Sequence, residues 1–249
     1  MKAFLTLLRR EISAYFHTSM AYVAGIFFLL VTGMSFWVLI TQLARDPAGG
    51  HLTGVLFGSD WFWLAMLLAP PLLTMRLFAG ENRQGTLEVL MSAPITETQV
   101  VLAKFFGAFF LFLLLWLPTV AYGPLLRGSG ADVSTLVWGP VASGYLGAAL
   151  VGACFIALGL LCSLLATHQI SAAMASLASA GILVAPGLLG VQPPKGLPDG
   201  LVQFLSSPQN MQDFAAGVID TRAVVGYLGA TLLLLFVAIR ILEARRLRG

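Results

Sequence analysis

Six long apolar blocks separated by short polar breaks organise this chain. The first, about 20–43, contains no charge, and each block approaches the roughly 20 residues a helix needs to cross a bilayer. A second block covers about 57–79, with Asp60 near one end and Arg76 near the other. Only 15 uncharged residues separate those two, so both side chains must reach for an interface or the span sits partly in protein. Pro70-Pro71 falls in its middle and predicts a kink, because proline lacks the amide donor and crowds the preceding turn. A third block covers 99–122. The uncharged run Val133 to Pro194 is 62 residues long and therefore holds two spans, about 141–165 and 170–189. The polar sequence ATHQIS, Ala166 to Ser171, is the break between them. The last block covers 224–242. Between the first two blocks, ARDPAGGHLTGVLFGSD is rich in Gly and turn residues and reads as a short loop. The pattern predicts an all-α integral membrane protein with six transmembrane helices, a single domain over 1–249 without an internal repeat.

Composition agrees. Charged residues make up 10%, against about 25% in ordinary soluble domains, and mean hydropathy is +0.90. The pI near 9.1 says less than where the charge lies. If both termini and the polar stretch after the second span share one side, that side holds Lys2, Arg9, Arg10, Arg76, Arg83, Lys104, Arg240, Arg245, Arg246 and Arg248. The other holds Arg45, Arg127, Lys195 and Arg222. The positive-inside rule then places both termini in the cytoplasm. Trp37, Trp61, Trp63, Trp116 and Trp138 all fall in the outer half of this topology and predict an aromatic belt.

The N-terminal segment, 1–17, does not read as a cleavable leader, since Arg9-Arg10-Glu11 interrupts its apolar stretch after six residues. It reads instead as an amphipathic interfacial helix. Leu5, Leu8, Ile12 and Phe16 line one face, with Phe4 and Tyr15 beside them; Lys2, Thr6, Arg9, Ser13 and His17 line the other.

Residues 80–98 form a polar unit between the second and third spans with helix signals of its own. Gly85-Thr86 can end one helix and begin another, in which Leu87, Leu90 and Met91 make an apolar face opposite Glu88 until Pro94 stops it. Thr96 and Gln99 then form a capping box, flanked by Ile95 and Val100 as a hydrophobic staple. Glu97 sits at the positive end of the helix dipole. The unit is an elbow with marked ends.

Other features are plainer. In the connection 190–223, Ser207 caps a short helix with Pro208 at its first position. Met211, Phe214, Ala215 and Val218 are its apolar face, suggesting a helix that dips into the outer interface. Asp199, Asp213 and Asp220 read as solvated or capping groups. Gly144, Ala148 and Gly152, and again Ser171, Ala175 and Ser179, recur at four-residue spacing and permit close helix contact; packing within one subunit is the more economical reading. Cys154 and Cys162 are eight residues apart in one helix, too far for a bridge within it, and read as packing residues. His17, His51 and His168 lack metal-ligand spacing. No acidic residue lies deep in a span, which argues against a proton relay. The sequence contains no G-x-x-x-x-G-K-[ST], H-E-x-x-H or G-x-S-x-G motif, so ATPase, metalloprotease and hydrolase chemistry have no residues to stand on.

The stretch RLFAGENRQGTLEVLMSAPITETQVVLAKF, Arg76 to Phe105, resembles the connection between spans two and three of ABC-2-type transporter permeases. There E-x-x-x-G-T-L-E recurs, followed by Pro and a polar helix start; Glu81, Gly85, Thr86, Leu87, Glu88 and Pro94 match. FLSSPQNMQDFAAGVIDTRAVVGYL, Phe204 to Leu228, resembles the outer loop of the subgroup containing gliding-motility and nitrous-oxide-reductase-maturation permeases. The resemblance implies an exporter subunit in the bacterial cytoplasmic membrane. Its elbow would be a coupling helix seated in a groove of a separate ABC ATPase, with Leu87, Leu90 and Met91 packed into the groove and Glu81, Arg83 and Glu88 on its rim. Two ATPase copies carrying ATP and Mg, and a second permease copy (identical or a paralogue), are the implied partners, beside membrane lipid and a periplasmic or auxiliary membrane protein. No cofactor on this chain and no nucleic acid are implied. Arg9 and Arg10 belong to the interfacial helix. The fifth span lies near the dimer interface in this family, which favours Ser171, Ala175 and Ser179 over the fourth-span row. The alternatives are a permease that passes ATPase work to a surface machine without moving solute, and, from another class, an integral-membrane enzyme or scaffold.

Overall fold

The computed structural model describes residues 2–45, 52–85, 96–128, 138–190 and 207–246, and all regular structure among them is helical. In chain order the helices are α1 (Lys2–Phe16), α2 (Ser19–Arg45), α3 (Leu52–Gly58), α4 (Asp60–Thr74), α5 (Ala79–Gln84) and α6 (Glu97–Trp116). A 3-10 turn (Leu117–Ala121) joins α6 to α7 (Tyr122–Gly128), followed by α8 (Trp138–Leu165), α9 (Gln169–Leu188), α10 (Ser207–Ala215) and α11 (Thr221–Arg246). Among the described residues six segments are long and apolar enough to cross a membrane: Ala21–Gln42, Asp60–Asn82, Glu97–Leu125, Trp138–Leu165, Gln169–Leu188 and Thr221–Arg246. They coincide with the six expected spans and differ only at their ends.

Helix α8 is the centre of the bundle, packed against α4, α6, α9, α10 and α11. Its glycines explain why so many neighbours fit. A Cβ on Gly152 would lie 2.2 Å from the Phe112 ring, one on Gly144 2.5 Å from Phe57, one on Gly147 2.9 Å from Phe214, and one on Gly159 2.2 Å from Thr74 Oγ1. Each missing side chain is a socket for a residue of another helix. The row Gly144, Ala148, Gly152 thus packs within the subunit.

Two expectations need correction. The loop before the second span contains helix α3, because Ser59, not Phe57, starts the span: Ser59 is extended (φ −71, ψ 153) and its Oγ accepts from the Phe62 N–H at 3.2 Å. Helix α4 then continues through Pro70 and Pro71, and regular helix is lost four residues later, at turns over 75–78. The tryptophan belt is smaller than expected. Trp37 and Trp138 are 65% and 61% exposed, but Trp63 and Trp116 are 2% and 7% exposed. Trp116 meets Phe28, Phe57, Phe62, Phe112 and Tyr145, with centroid separations from 5.0 to 6.4 Å. Aromatic rings of this size serve a packed core as well as an interface.

The short helix α10 buries Met211, Phe214 and Ala215 as expected, while Val218 is exposed. It ends before Val218, where Gly217 (φ +90) turns the chain and the Val218 N–H donates back to Asp213 O at 2.9 Å. The buried face rests on α3 and α8 rather than projecting outward. Hydroxyls from both hold its last carbonyls: Thr53 Oγ1 donates to Ala215 O and Ser143 Oγ to Phe214 O, each at 2.6 Å.

Candidate functional site

The elbow's two ends are fixed. On the leading side the chain turns over 75–78 and re-enters a helix at α5, whose N-cap position is held by the apolar Phe78. The cap comes from elsewhere. Ser163, on α8, accepts the N–H groups of Phe78 and Ala79, both at 3.1 Å, while its hydroxyl donates to Met75 O at 3.3 Å. One buried hydroxyl therefore satisfies three backbone groups that the break in the helix would orphan. Ser163→Ala leaves two buried N–H groups without that acceptor, at about 1–3 kcal/mol each. The expected result is a lowered thermal midpoint, with proteolysis in the elbow accelerated before cleavage elsewhere; peptide mapping of a timed digest checks the order.

Gly85 ends α5 in the left-handed region (φ +67), where a side chain would be strained. On the far side Thr96 is extended (φ −87, ψ 148) and its Oγ1 accepts the Gln99 N–H at 3.4 Å, so the expected cap of α6 stands. Glu97, the first residue of α6, pairs with Arg246 near the end of α11. Thr86, Leu87, Glu88, Leu90, Met91 and Pro94 lie outside the described residues, and Arg83 lies within α5.

Beneath the elbow is an ionic joint that the sequence reading missed. Lys104, in the second turn of α6, is 2% exposed. Its Nζ lies 2.8 Å from Glu81 Oε1 on α5 and 3.2 Å from Glu11 Oε1 on α1, and 5.3 Å from the centroid of the Phe78 ring, within cation–π range. Arg10 Nη2 lies 3.3 Å from an oxygen of each of the same carboxylates. The Glu81 carboxylate is therefore engaged with Lys104 and Arg10 inside the protein. Gly107, one turn beyond Lys104, lets α1 come close: a Cβ there would sit 3.2 Å from Glu11 Cβ. A lysine in the second turn of an otherwise apolar helix, and a lone acid on the N-terminal helix, were the signals that could have revealed the joint, since buried ions need partners.

Helix α1 has three sectors as a result. Glu11 and the half-buried Tyr15 face the protein, and Tyr15 Oη donates to Leu73 O at 2.8 Å, taking a carbonyl at the end of α4. Burial raises the Tyr15 phenol well above its ordinary value, so the hydroxyl remains a donor. Leu5 and Phe16 are exposed and apolar, and Arg9, Ser13 and His17 make a polar edge. Of the two interfacial arginines, Arg10 enters the joint and Arg9 is exposed.

The fifth-span residues occupy a different place. Ser171 and Ala175 are exposed and Ser179 is half-buried; both serines donate to their own helix's carbonyls at 2.7 Å. They share a side of α9 with Met174 and Ile182, which are also exposed. Cys154 and Cys162 are free thiols, buried and half-buried. Among the described residues no cluster of His, Cys, Asp and Glu could hold a metal ion. What the arrangement can do is mechanical: α5, α6 and α1 share charged groups, so none can shift far without moving or breaking the others.

A family model described as ABC-2 family transporter protein matches residues 45–207. That range is well over half of the chain and includes the elbow and, of its joint, Glu81 and Lys104, while Arg10 and Glu11 precede it. No curated protein matches it.

Proposed function

The chain belongs to the ABC-2 transporter family, and from that membership we propose that it is an exporter's membrane permease, driven through its elbow by a separate ABC ATPase. The observation that carries this reading is the construction of the elbow's base. A polar segment between two spans has one end capped by Ser163 of the central helix and tied by Glu81 to buried Lys104, and its other end capped by Thr96. A connection without mechanical duty has no need of such anchoring.

In the proposed cycle, ATP and Mg sit on the partner, since this sequence has no phosphate-binding loop of its own. Leu87, Leu90 and Met91 enter the motor's groove, and Arg83 and Glu88 line its rim. Gly85, Thr86 and Pro94 set the turns at either end of this helix. Glu81 receives the displacement and passes it to Lys104 and thence to α1 and α6. Two permease copies meet through α9, with Ser171, Ala175 and Ser179 at the seam, and two ATPases bind below. The membrane is the bacterial cytoplasmic one, with both termini on the side of the motors.

Two experiments test this. An ATPase co-expressed with the full chain should co-purify with it. Reversing charge at Arg83 and Glu88 together should then lower ATPase stimulation by about tenfold while the thermal midpoint of the chain stays within a few degrees. Unchanged stimulation removes these residues from the coupling surface, and failure of any ATPase to associate removes the reading.

A further inference from the structure

A pocket of about 200 Å³ opens between α1, the end of α4 and α5. Arg10, Arg76 and Lys104 line it against Glu11 and Glu81, leaving one positive charge in excess. Lys104 is committed to the two carboxylates, but Arg10 meets them through Nη2 alone. Arg76 is exposed and has no ion pair or hydrogen bond with any other described residue. Leu72, Leu73 and Leu77 give the pocket an apolar part, beside the uncharged polar Thr18 and Gln169. Leu72 is also a wall of a second groove of about 330 Å³ between α2 and α4, whose other walls are Val23, Ala24, Phe27 and Leu68. A cationic pocket and a groove lined only by hydrocarbon thus share one leucine as a wall.

We propose that one anionic phospholipid occupies both, its phosphate between Arg10 and Arg76 and an acyl chain along the groove between α2 and α4. Guanidinium groups present planar donors suited to phosphate oxygens, and the groove supplies apolar contact that a soluble anion cannot use. The juxtaposition would place a lipid beside the ionic joint, where its loss would loosen α1. This site stands on local charge and shape, independent of whether the elbow docks an ATPase.

The test uses the full chain purified in detergent and titrated with phosphatidylglycerol, phosphatidylcholine or inorganic phosphate, with bound ligand counted by native mass spectrometry. One phosphatidylglycerol per chain should be retained in preference to phosphatidylcholine. Arg76→Gln should reduce that preference about fivefold, the effect of one basic residue near an anionic leaflet, while Arg76→Lys should keep most of it. Leu72→Trp, which narrows the junction, should weaken retention of phosphatidylglycerol without changing the elution profile of the protein. Equal retention of the two lipids overturns the proposal, as does an Arg76→Gln preference equal to the original. Displacement of the lipid by inorganic phosphate at equal concentration overturns it too, because the groove would then contribute nothing.

Discussion

Replacing Lys104 by Met should lower the thermal midpoint of the purified chain by about 10 °C. Removing one member of a buried ion pair costs about 3–5 kcal/mol, because the partner charges remain desolvated and unpaired, and each kcal/mol moves the midpoint of a chain this size by about 2–4 °C. Here two carboxylates, Glu11 and Glu81, are left facing each other, with the half-exposed Arg10 at 3.3 Å from each. The triple variant Lys104→Met, Glu11→Gln, Glu81→Gln removes charge from both sides and should recover most of the loss, since an intact buried pair contributes little over a neutral replacement. Differential scanning fluorimetry on the four proteins (parent, Lys104→Met, the Glu11→Gln, Glu81→Gln double variant and the triple) separates the two. If Lys104→Met alone matches the parent, the joint is not buried in the working protein. In a reconstituted transporter the triple variant carries a second expectation: near-normal stability with weakened coupling, because neutral groups no longer bind α5 to α1 and α6.

The second large effect is expected at Gly152. Alanine for glycine inside an exposed helix gains up to about 1 kcal/mol from propensity, but at this position the new Cβ would stand 2.2 Å from the ring of Phe112, itself fully buried. Overpacking a filled core costs about 1–3 kcal/mol, so the clash outweighs the propensity gain even for Ala. Gly152→Leu should separate α6 from α8 and leave little folded protein. Gly33, on α2, has nothing within 4 Å of its Cβ position, and Gly33→Ala should fold normally. Yield of monodisperse protein in detergent measures both, and equal yields from Gly152→Leu and Gly33→Ala would contradict the packing described for α8.

These two sites show what the sequence could and could not reveal. The six spans are legible because lipid demands long uninterrupted apolar runs, and the break at 166–168 is legible because only a polar turn interrupts one. The Thr96 cap could be read because its partner is three residues away. The Lys104–Glu11 pair could not be read as a pair, for its members are 93 residues apart. Ser163 supplying the cap of α5 is invisible for the same reason, as no local pattern announces an acceptor 85 residues distant. The Gly144, Ala148, Gly152 row announced close packing but not its partner, which proves to be aromatic side chains of the same chain. Trp63 and Trp116 misled because indole suits a core and an interface equally, and only the fold decides between them. Within the elbow, Gly85 did mark the end of α5 and Thr96 the start of α6.

The most direct test of the central claim is a cross-link between the elbow and a motor. Met91→Cys, introduced into the full chain with Cys154 and Cys162 replaced by Ala, is co-expressed with the ATPase and treated with a short reagent that couples to the new thiol at one end and, on illumination, inserts into the adjoining protein at the other. The account predicts an adduct of permease and ATPase that forms with Met91→Cys and changes in yield between nucleotide-free and ATP-bound states. Met91→Cys labelled by a membrane-impermeant reagent from outside intact cells, with no ATPase adduct in either state, would contradict it.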